Sequence, residues 1–448
     1  MFVEELERVC FVAALPHSVP RRSADNGQMA LAPDERMPSM SPTKPVPDVA
    51  VVGLGPSGLA AALALAHIGA EVVAVGPPPL PATKSALETR TAALLTSSVD
   101  LLKTLDVWPA LERHAAPLQA IRIIDASRSL IRAPEIEFRA DELGLPAFGY
   151  NVANSLLTET LYARAQAVLP AVIAVGVNEI TVEPNKAVLT LSKGEPLFAR
   201  LVVAADGRLS ICRKCAGIGV TERSYDQAAL AASFTHARAH ENVSTELHRE
   251  GGSVTTVPLP DPHASSLIWV GPPAEMARLV RLDVESFVDA LAQRLDGLLG
   301  AISSVGARAE FKVAGLVADR LAARRTALVG EAGHILPPIG AQGLNLGLRD
   351  AASLADCVAD ALHAGRDPGG DDVLDAYRRA RQFDVMTRTL GVDLLSRSLL
   401  TSLPPLQAAR GLVLHGLKAL APLRRAVMCV GLAPPTELPS LMRRAAPD

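Results

Sequence analysis

The chain has 448 residues, of which 49% are hydrophobic and 20% charged, and its formal net charge is −3. This length predicts two or three domains with a sizeable core and excludes a small disulfide scaffold. An aromatic content of only 3% and the lack of a basic excess argue against nucleic-acid binding. Five cysteines without framework spacing fit a reducing compartment, so we expect a cytoplasmic protein.

The first part of the chain changes character at residue 48. Residues 1–47 hold seven of the 34 prolines and show little periodicity, which predicts a disordered extension. A β-branched run at 48–53, an Ala/Leu helix at 57–69 and a second strand at 71–75 follow. This βαβ unit predicts a doubly wound parallel sheet.

The remaining pattern predicts a second domain inserted into the first. A helix, two strands, a helix and four strands are predicted in that order at 91–105, 121–124, 136–138, 155–168, 172–175, 180–182, 187–191 and 201–205. Residues 230–280 alternate between strand and turn, which indicates an antiparallel domain. A buried strand at 327–330 and a helix at 344–364 then return to the first pattern.

The first motif is the run Gly53-Leu-Gly-Pro-Ser-Gly58, which follows a strand and opens a helix. This is the context of a dinucleotide-binding fingerprint. Gly53 permits the tight turn, Gly55 lets a pyrophosphate approach the backbone, and Gly58 lets helix and strand pack. An acidic residue that holds a ribose is expected at the end of the second strand, but Gly76 occupies that place.

The second motif, Asp206-Gly207, follows the buried strand at 201–205, and Arg213 lies further along the predicted helix. On the residues alone, Asp206 either holds a sugar hydroxyl or caps the following helix. Both alternatives remain open. The overlapping run Cys212-Arg-Lys-Cys215 has redox or half-zinc spacing, but without a second pair we predict no metal site.

The third motif begins at Gly330-Glu331, where a strand ends in a Pro/Gly-rich loop. A helix is predicted to start near Gly343 with free backbone amides, and such an end attracts negative charge. His334 in the loop either shuttles a proton or hydrogen-bonds the loop backbone, and we expect the second role.

In this order and spacing, the three motifs resemble those of FAD-dependent aromatic hydroxylases with the glutathione-reductase-type flavin fold. The run Pro337-Pro-Ile-Gly-Ala-Gln-Gly-Leu-Asn-Leu-Gly-Leu-Arg-Asp350 is most similar to that of the ubiquinone-biosynthesis hydroxylases (UbiH-type). The resemblance implies an α/β fold in which a Rossmann-like FAD-binding domain carries an inserted antiparallel-β substrate domain and a helical C-terminal region. The implied FAD-binding segments are 48–116, 150–224 and 321–370, the substrate segments 117–149 and 225–320, and the helical region 371–448.

The resemblance also implies FAD as cofactor and NAD(P)H as reductant, with no catalytic side chain, because the flavin performs the chemistry. The implied cofactor-binding residues are Gly53, Gly55, Ser57, Gly58, Arg90, Asp206, Gly330, Glu331, Gly343, Leu344 and Asn345. The implied wall beside the flavin ring consists of Pro337, Pro338, Gly340, Ala341, Gln342 and Gly343. Glu331 departs from the family's usual Asp, so together with Gly76 it alters two cofactor contacts.

The activity implied by the resemblance is a monooxygenase reaction. NAD(P)H reduces FAD, O2 forms a flavin C4a-hydroperoxide, and one oxygen atom passes to the ring of a polyprenylated phenol in ubiquinone biosynthesis. One alternative keeps this chemistry with another aromatic or an isoprenoid substrate. A second alternative, which Gly76 and Glu331 motivate, is a non-catalytic scaffold of a quinone-biosynthesis complex.

Charge is uneven along the chain, because residues 375–448 hold eleven Lys/Arg against five Asp/Glu, a balance of +6. An apolar helical stripe is predicted there from Leu406, Ala409, Leu412, Val413, Leu417 and Leu420, near Arg410, Lys418, Arg424 and Arg425. The stripe either contacts the inner face of an anionic membrane or packs on the flavin domain or a partner subunit, as in a homodimer. Both alternatives remain open.

Overall fold

The computed structural model describes residues 46–79, 90–126, 135–249, 251–338, 340–400, 414–432 and 437–443, with the backbone alone at 392–400. The predicted extension therefore lies outside the described residues except for its last two positions. The same holds for Leu406, Ala409, Leu412 and Val413 of the predicted stripe and for the nearby Arg410.

A six-stranded sheet contains the predicted βαβ unit. Its strands are β1 (Val49–Val52), β2 (Val72–Val75), β8 (Ala171–Ile173), β12 (Leu201–Ala204), β19 (Ala322–Ala323) and β20 (Thr326–Leu328). They lie in the order β19-β20-β12-β1-β2-β8, and all neighbours are parallel except β19 and β20. Strands β1, β2, β12 and β20 are buried along their whole length, as their β-branched and apolar sequences predict.

Helices flank this sheet and its loops. They are α1 (Pro56–His67), α2 (Thr96–Thr104), α3 (Trp108–Leu111), α4 (Asn154–Val168), α5 (Ile211–Cys215), α8 (Gln342–His363) and α9 (Asp371–Leu400). The Ala-rich α1 packs against both α4 and α8, and α8 packs in turn against α9. This helical layer and the sheet share one apolar core.

A nine-stranded sheet forms the inserted part of the fold. It consists of β5 (Ala120–Asp125), β6 (Ile136–Arg139), β13 (Val220–His236), β14 (Val243–Arg249), β15 (Gly252–Pro258), β16 (Ala264–Gly271), β17 (Ile302–Val305), β18 (Ala309–Ala318) and β21 (His334–Ile335). All pairs are antiparallel except β14 with β5. One face packs against α6 (Pro273–Arg281) and α7 (Val284–Leu295).

Two small antiparallel sheets complete the described β-structure. One contains β3 (Thr91–Leu95), β7 (Gly149–Ala153) and β4 (Ala116–Pro117), and the other β9 (Val177–Val182), β10 (Ala187–Leu191) and β11 (Leu197–Ala199). Short 3-10 turns lie at Glu112–His114, Ala140–Leu143, Gly330–Ala332 and Ser440–Met442, and a last helix, α10, at Ala421–Leu432. The predicted α/β fold with an inserted antiparallel domain is confirmed.

Two predicted elements are wrong in part. The helix expected at 91–105 is a strand over its first five residues, because β3 pairs with β7 and this tertiary contact outweighs the local periodicity. The strand-and-turn pattern expected to residue 280 ends earlier, because the Pro272-Pro273 pair begins α6, with proline in the first helical turn.

The C-terminal helix packs on the edge of the nine-stranded sheet. Leu417 and Met428 are buried against the apolar cluster that contains Phe138. Arg424 forms a 2.7 Å ion pair with Glu142. The described part of the predicted stripe is thus used partly for internal packing. No helix within the described ranges combines the length and apolar character needed to span a membrane.

Candidate functional site

Three loops meet at one edge of the six-stranded sheet. The fingerprint turn follows β1, Asp206 follows β12, and Gly330 follows β20. These three strands are parallel neighbours in the sheet, so their carboxyl ends lie at the same edge. In open parallel sheets this edge is where ligands bind. The structure therefore brings the three sequence motifs together.

The glycines of the fingerprint turn have two different roles. A β-carbon placed on Gly53, whose φ is +117°, would lie 2.2 Å from the carbonyl oxygen of Ala205. A β-carbon on Gly58 would lie 2.1 Å from the carbonyl oxygen of Gly53. At Gly55, however, a β-carbon would meet no described atom within 4 Å. Gly53 and Gly58 are required by packing, whereas Gly55 borders open space at the amino end of α1.

Asp206 is compatible with both roles that the sequence left open. Its Oδ2 accepts hydrogen bonds from the amides of Ile211 (2.8 Å) and Cys212 (3.1 Å) and so caps α5. Its Oδ1 is buried and has no hydrogen-bond partner among the described residues. A buried acceptor without a partner is costly, so a ligand hydroxyl would fit there.

The neighbouring Cys212 thiol is fully buried. Burial, together with the nearby Asp206 carboxylate, raises the pKa of this thiol well above its ordinary value. The reactive thiolate form is therefore suppressed at neutral pH.

Arg213 connects the second loop to the third, a role that sequence reasoning missed. Its guanidinium is buried and donates hydrogen bonds to the carbonyl oxygens of Ala332 (2.7 Å) and Arg208 (2.9 Å). The sequence places Arg213 in the predicted helix after Asp206, but no spacing in the sequence predicts its hydrogen bond to the carbonyl of residue 332. Arg213 thus fixes the relative position of two of the three loops.

Close backbone contacts join α1, α8 and the end of β20. A β-carbon on Gly347 of α8 would lie 2.5 Å from Ser57 Oγ. One on Gly330, whose φ is +62°, would lie 2.9 Å from the same hydroxyl. Glu331, which follows Gly330, is exposed. Ser57 of the first motif therefore lies against Gly330 and Gly347 of the third, although the sequence separates the two motifs by more than 270 residues.

The third loop ends in two left-handed residues before α8. Gly340 has a φ of +65° and Ala341 a φ of +54°, the second of which costs about 1–2 kcal/mol for a residue with a β-carbon. Ala341 supplies no side-chain cap to α8. A β-carbon on Gly343 would meet no described atom within 4 Å. The first amides of α8 are therefore available to an anionic group.

Asn345 uses its side chain within the protein. Its Oδ1 accepts a hydrogen bond from the amide of Leu95 (2.8 Å), and its Nδ2 donates to the carbonyl oxygens of Ala93 (2.8 Å) and Ala341 (2.6 Å). Of the other predicted contacts, Leu344 is half-buried against the core and Arg90 is exposed. The cofactor roles of these residues stay predictions.

Among the described residues, the ring of His334 hydrogen-bonds a carboxylate and not the loop backbone, so that expectation is wrong. Its Nε2 lies 2.6 Å from Oδ2 of Asp350 on α8, and the same oxygen accepts the amide of Gly330 at 3.0 Å. Its Nδ1 is buried without a partner among the described residues. The ring is thus oriented by a carboxylate rather than by a carbonyl.

Asp350 belongs to a buried ionic network between α8 and α9. Arg381 Nε donates to Asp350 at 2.8 Å, and Asp384 accepts from Arg381 (2.7 Å), Arg349 (2.8 Å) and Arg388 (2.8 Å). Burial alone would raise the pKa values of both carboxyl groups. The neighbouring cations outweigh it and hold both pKa values below the ordinary range.

Three histidine side chains also meet in the inserted sheet, which their spacing did not predict. The ring centroid of His236 lies 6.3 Å from that of His240 and 6.5 Å from that of His263. Burial lowers the pKa of His236, although a hydrogen bond from its ring to the carbonyl of Arg238 opposes this. Their ring nitrogens contact backbone carbonyls, the amide of Asn242 or the hydroxyl of Ser265, so the cluster holds the chain around residues 259–265.

A parallel sheet with this fingerprint turn, an acceptor-bearing second loop and an uncapped helix α8 is typical of a dinucleotide-binding protein. The model of the family described as FAD binding domain matches residues 47–389. The chain belongs to this family and is an FAD-dependent monooxygenase.

The relatives agree with this assignment. The chain is 32% identical over 387 residues to ubiquinone hydroxylase UbiL of Rhodospirillum rubrum, a match that covers 86% of this chain and 89% of the relative. It is 30% identical to 3-demethoxyubiquinol 3-hydroxylase of Escherichia coli K12, with 84% and 96% covered. The crystal structure of p-nitrophenol 4-monooxygenase PnpA from Pseudomonas putida has the same fold, with a TM-score of 0.70, 19% identity and coverage of 88% and 99%.

Proposed function

We propose that the protein hydroxylates the ring of a polyprenylated phenol in ubiquinone biosynthesis, using NAD(P)H and O2. The two curated relatives are named for hydroxylation of ubiquinone or of a demethoxyubiquinol, and each match covers more than four fifths of this chain. When bound, FAD supplies the activation of O2 after its reduction by NAD(P)H. The chain supplies binding, orientation and exclusion of water.

One face of the nine-stranded sheet is the surface that supports this proposal, because it could bind the phenol. Ser266 Oγ on β16 lies 3.0 Å from Thr91 Oγ1 on β3, so this face is directed at β3. Side chains alternate along a strand, so Ile268 and Val270 lie on the same face as Ser266. They pack with Ala229 of β13 in a separate apolar cluster.

This face is apolar and partly accessible. Val313 completes its buried centre, and the side chains of Tyr225, Ile268 and Phe311 around it are only half-buried. Asn345 joins β3 to the first turn of α8, and β21 in the third loop pairs with β18 of the same sheet. The face therefore lies beside the loop that would contact the flavin. Apolar walls with few polar groups suit a hydrophobic phenol.

The three loops offer complementary contacts to FAD. The open space at Gly55 and the amide donors of α1 would accept its pyrophosphate, and Asp206 Oδ1 would accept a hydroxyl. The first amides of α8, from Gln342 onward, would stabilise the negative charge of reduced FAD. The buried Pro337 would help to exclude water from the ring.

The test is anaerobic reduction of the FAD-loaded protein by NAD(P)H, followed at the flavin absorbance band. We expect faster bleaching with a polyprenylated phenol than with 4-hydroxybenzoate, and a hydroxylated product after O2 is admitted. Faster reduction and turnover with the soluble phenol would replace this substrate by another aromatic one. Failure to take up FAD would support the scaffold alternative instead.

We also propose that this protein, which we place in the cytoplasm, contacts the inner face of the membrane through α10. Leu423, Val427 and Val430 of α10, and Leu420 directly before it, are apolar and exposed at helical spacing. The balance of +6 over residues 375–448 favours an anionic surface.

Vesicle flotation of the holoenzyme tests this contact, with Leu423→Ser/Val430→Ser as the matched variant. We expect the wild type, but not the variant, to float with anionic vesicles. Self-association that the variant abolishes, without flotation of the wild type, would identify a homodimer surface instead.

A further inference from the structure

A polar stripe runs along the inner face of α9. It consists of Tyr377, Arg381, Asp384 and Arg388, which are spaced at i, i+4, i+7 and i+11 and so share one side of the helix. The first three are essentially inaccessible to solvent. Three polar side chains buried on one helical face need partners, and these partners lie in or next to the third loop.

The stripe holds the beginning of the flavin loop, by which we mean the described residues 330–338 and 340–343. Tyr377 Oη donates a 2.7 Å hydrogen bond to the carbonyl of Leu328 in β20. Arg381 binds Oδ1 of Asp350, whose Oδ2 receives the amide of Gly330 and the ring of His334. One carboxylate thus joins two points of the flavin loop to α9.

The stripe also holds the end of the flavin loop. Asp384 Oδ1 accepts a hydrogen bond from Arg388 Nε at 2.8 Å. The same guanidinium donates to Gln342 Oε1 at 2.5 Å, and Gln342 Nε2 donates to the carbonyl of Gly340 at 3.1 Å. Arg388 donates in addition to the carbonyl of Gly431 in α10 at 3.3 Å. The first turn of α8 is therefore tied to two C-terminal helices.

We propose that the polar stripe of α9 clamps the flavin loop at both ends, and that Arg388 is the positioning residue for the first turn of α8. The left-handed backbone at Ala341 is unfavourable and persists only where the surroundings fix it. The contact between Arg388 of α9 and Gln342 fixes this backbone conformation from outside the site. The amides that would face the negative edge of reduced FAD then keep their orientation, as electrostatic stabilisation requires. The role proposed for the clamp requires that the protein binds FAD, which its family membership establishes. It does not require that the substrate is a polyprenylated phenol.

The test uses Arg388→Met, since Arg388 lies at the accessible end of the stripe and Asp384 keeps two other arginine partners in this variant. We expect FAD dissociation constants to rise about tenfold, the effect of one lost charge-assisted hydrogen bond. The midpoint potential of bound FAD should fall, because the reduced anion loses stabilisation. Arg379→Gln, which changes an exposed arginine on the same helix, is the matched control and should change neither value.

A second pair of variants separates positioning from general stability. Gln342→Leu removes the acceptor and should reproduce the effect of Arg388→Met, and the double variant should be no worse than either single one. Gln342→Glu keeps an acceptor for the guanidinium and should bind FAD more tightly than Gln342→Leu. Additive effects in the double variant would overturn the proposal. So would an Arg388→Met protein that loses thermal stability but keeps wild-type affinity and potential. Both readouts need only FAD, so they remain decisive if the proposed phenol substrate is wrong.

Discussion

Gly55→Val should remove FAD binding while leaving the fold intact. Gly55 has φ −81° and ψ 174°, an extended conformation that valine adopts without strain, and its β-carbon would meet no described atom within 4 Å. Valine is a poorer helix N-cap than glycine by at most about 1 kcal/mol. Valine also restricts the unfolded chain more than glycine does, and this lower unfolded-state entropy offsets roughly 0.4–1 kcal/mol of the capping loss. The expected change in the free energy of unfolding of the apoprotein is therefore close to zero.

The effect on FAD has a different origin. A branched side chain would occupy the space through which a pyrophosphate approaches the amides of α1. We expect the FAD dissociation constant to rise at least about 100-fold, which corresponds to about 2.8 kcal/mol. Flavin fluorescence titration of the apoprotein measures this value, and thermal unfolding of the same sample measures stability.

Gly58→Ala is the matched control, because it adds a smaller group where no room exists. Its β-carbon would lie 2.1 Å from the carbonyl oxygen of Gly53, so we expect a loss of about 1–3 kcal/mol in apoprotein stability. A Gly55→Val protein that purifies yellow and fully loaded would refute the assignment of this turn to the pyrophosphate. An unfolded Gly55→Val protein would refute the inference that the space belongs to a ligand.

Three further predictions concern charge. Cations outweigh burial and lower the pKa values of Asp350 and Asp384, so the stability that these two carboxylates confer is complete above the ordinary pKa of 3.8 and is lost as the pH falls below it. Thermal melts of wild type and Asp384→Asn at neutral pH and at about pH 3 should therefore show a smaller loss of melting temperature in the variant. Gly76→Glu places a carboxylate at the end of β2, where the new β-carbon would lie 3.2 Å from Leu54, and should tighten FAD binding up to about tenfold. Unchanged affinity would mean that this carboxylate does not reach the ribose. Arg424→Met should cost about 1 kcal/mol of stability through its lost pair with Glu142, and an unchanged melting temperature would show that apolar packing alone holds α10.

The sequence predicted those parts of the site whose signals are local. The fingerprint turn combines a β-branched strand, three spaced glycines and an Ala-rich helix within 20 residues, so both its structure and its location could be predicted. The start of α8 at Gln342 was predicted to within two residues, because the Pro/Gly-rich loop allows no helix before it. The helix-capping role of Asp206 is confirmed, whereas its ligand-binding role stays a prediction that its unpartnered Oδ1 supports.

The contacts that hold these motifs were not predictable from spacing. Asp350 reaches 20 residues back to Gly330 and 31 residues forward to Arg381. Neither distance has a periodic signature, because both depend on how α8 and α9 pack rather than on either helix alone. The same limit applies to His236, His240 and His263, whose rings meet only after the chain turns back into β16.

The misread segment at 91–95 explains why a polar residue is buried at the start of α8. Strand β3 pairs with β7 along one edge, which leaves the amide of Leu95 and the carbonyl of Ala93 on the other. An unpaired strand edge is unfavourable when buried, and Asn345 satisfies both groups with one side chain. The same strand touches the apolar face of the inserted sheet through Thr91. Asn345 therefore fixes the distance between the flavin loop and the proposed substrate surface. The sequence pattern at the start of the helix could not predict this role.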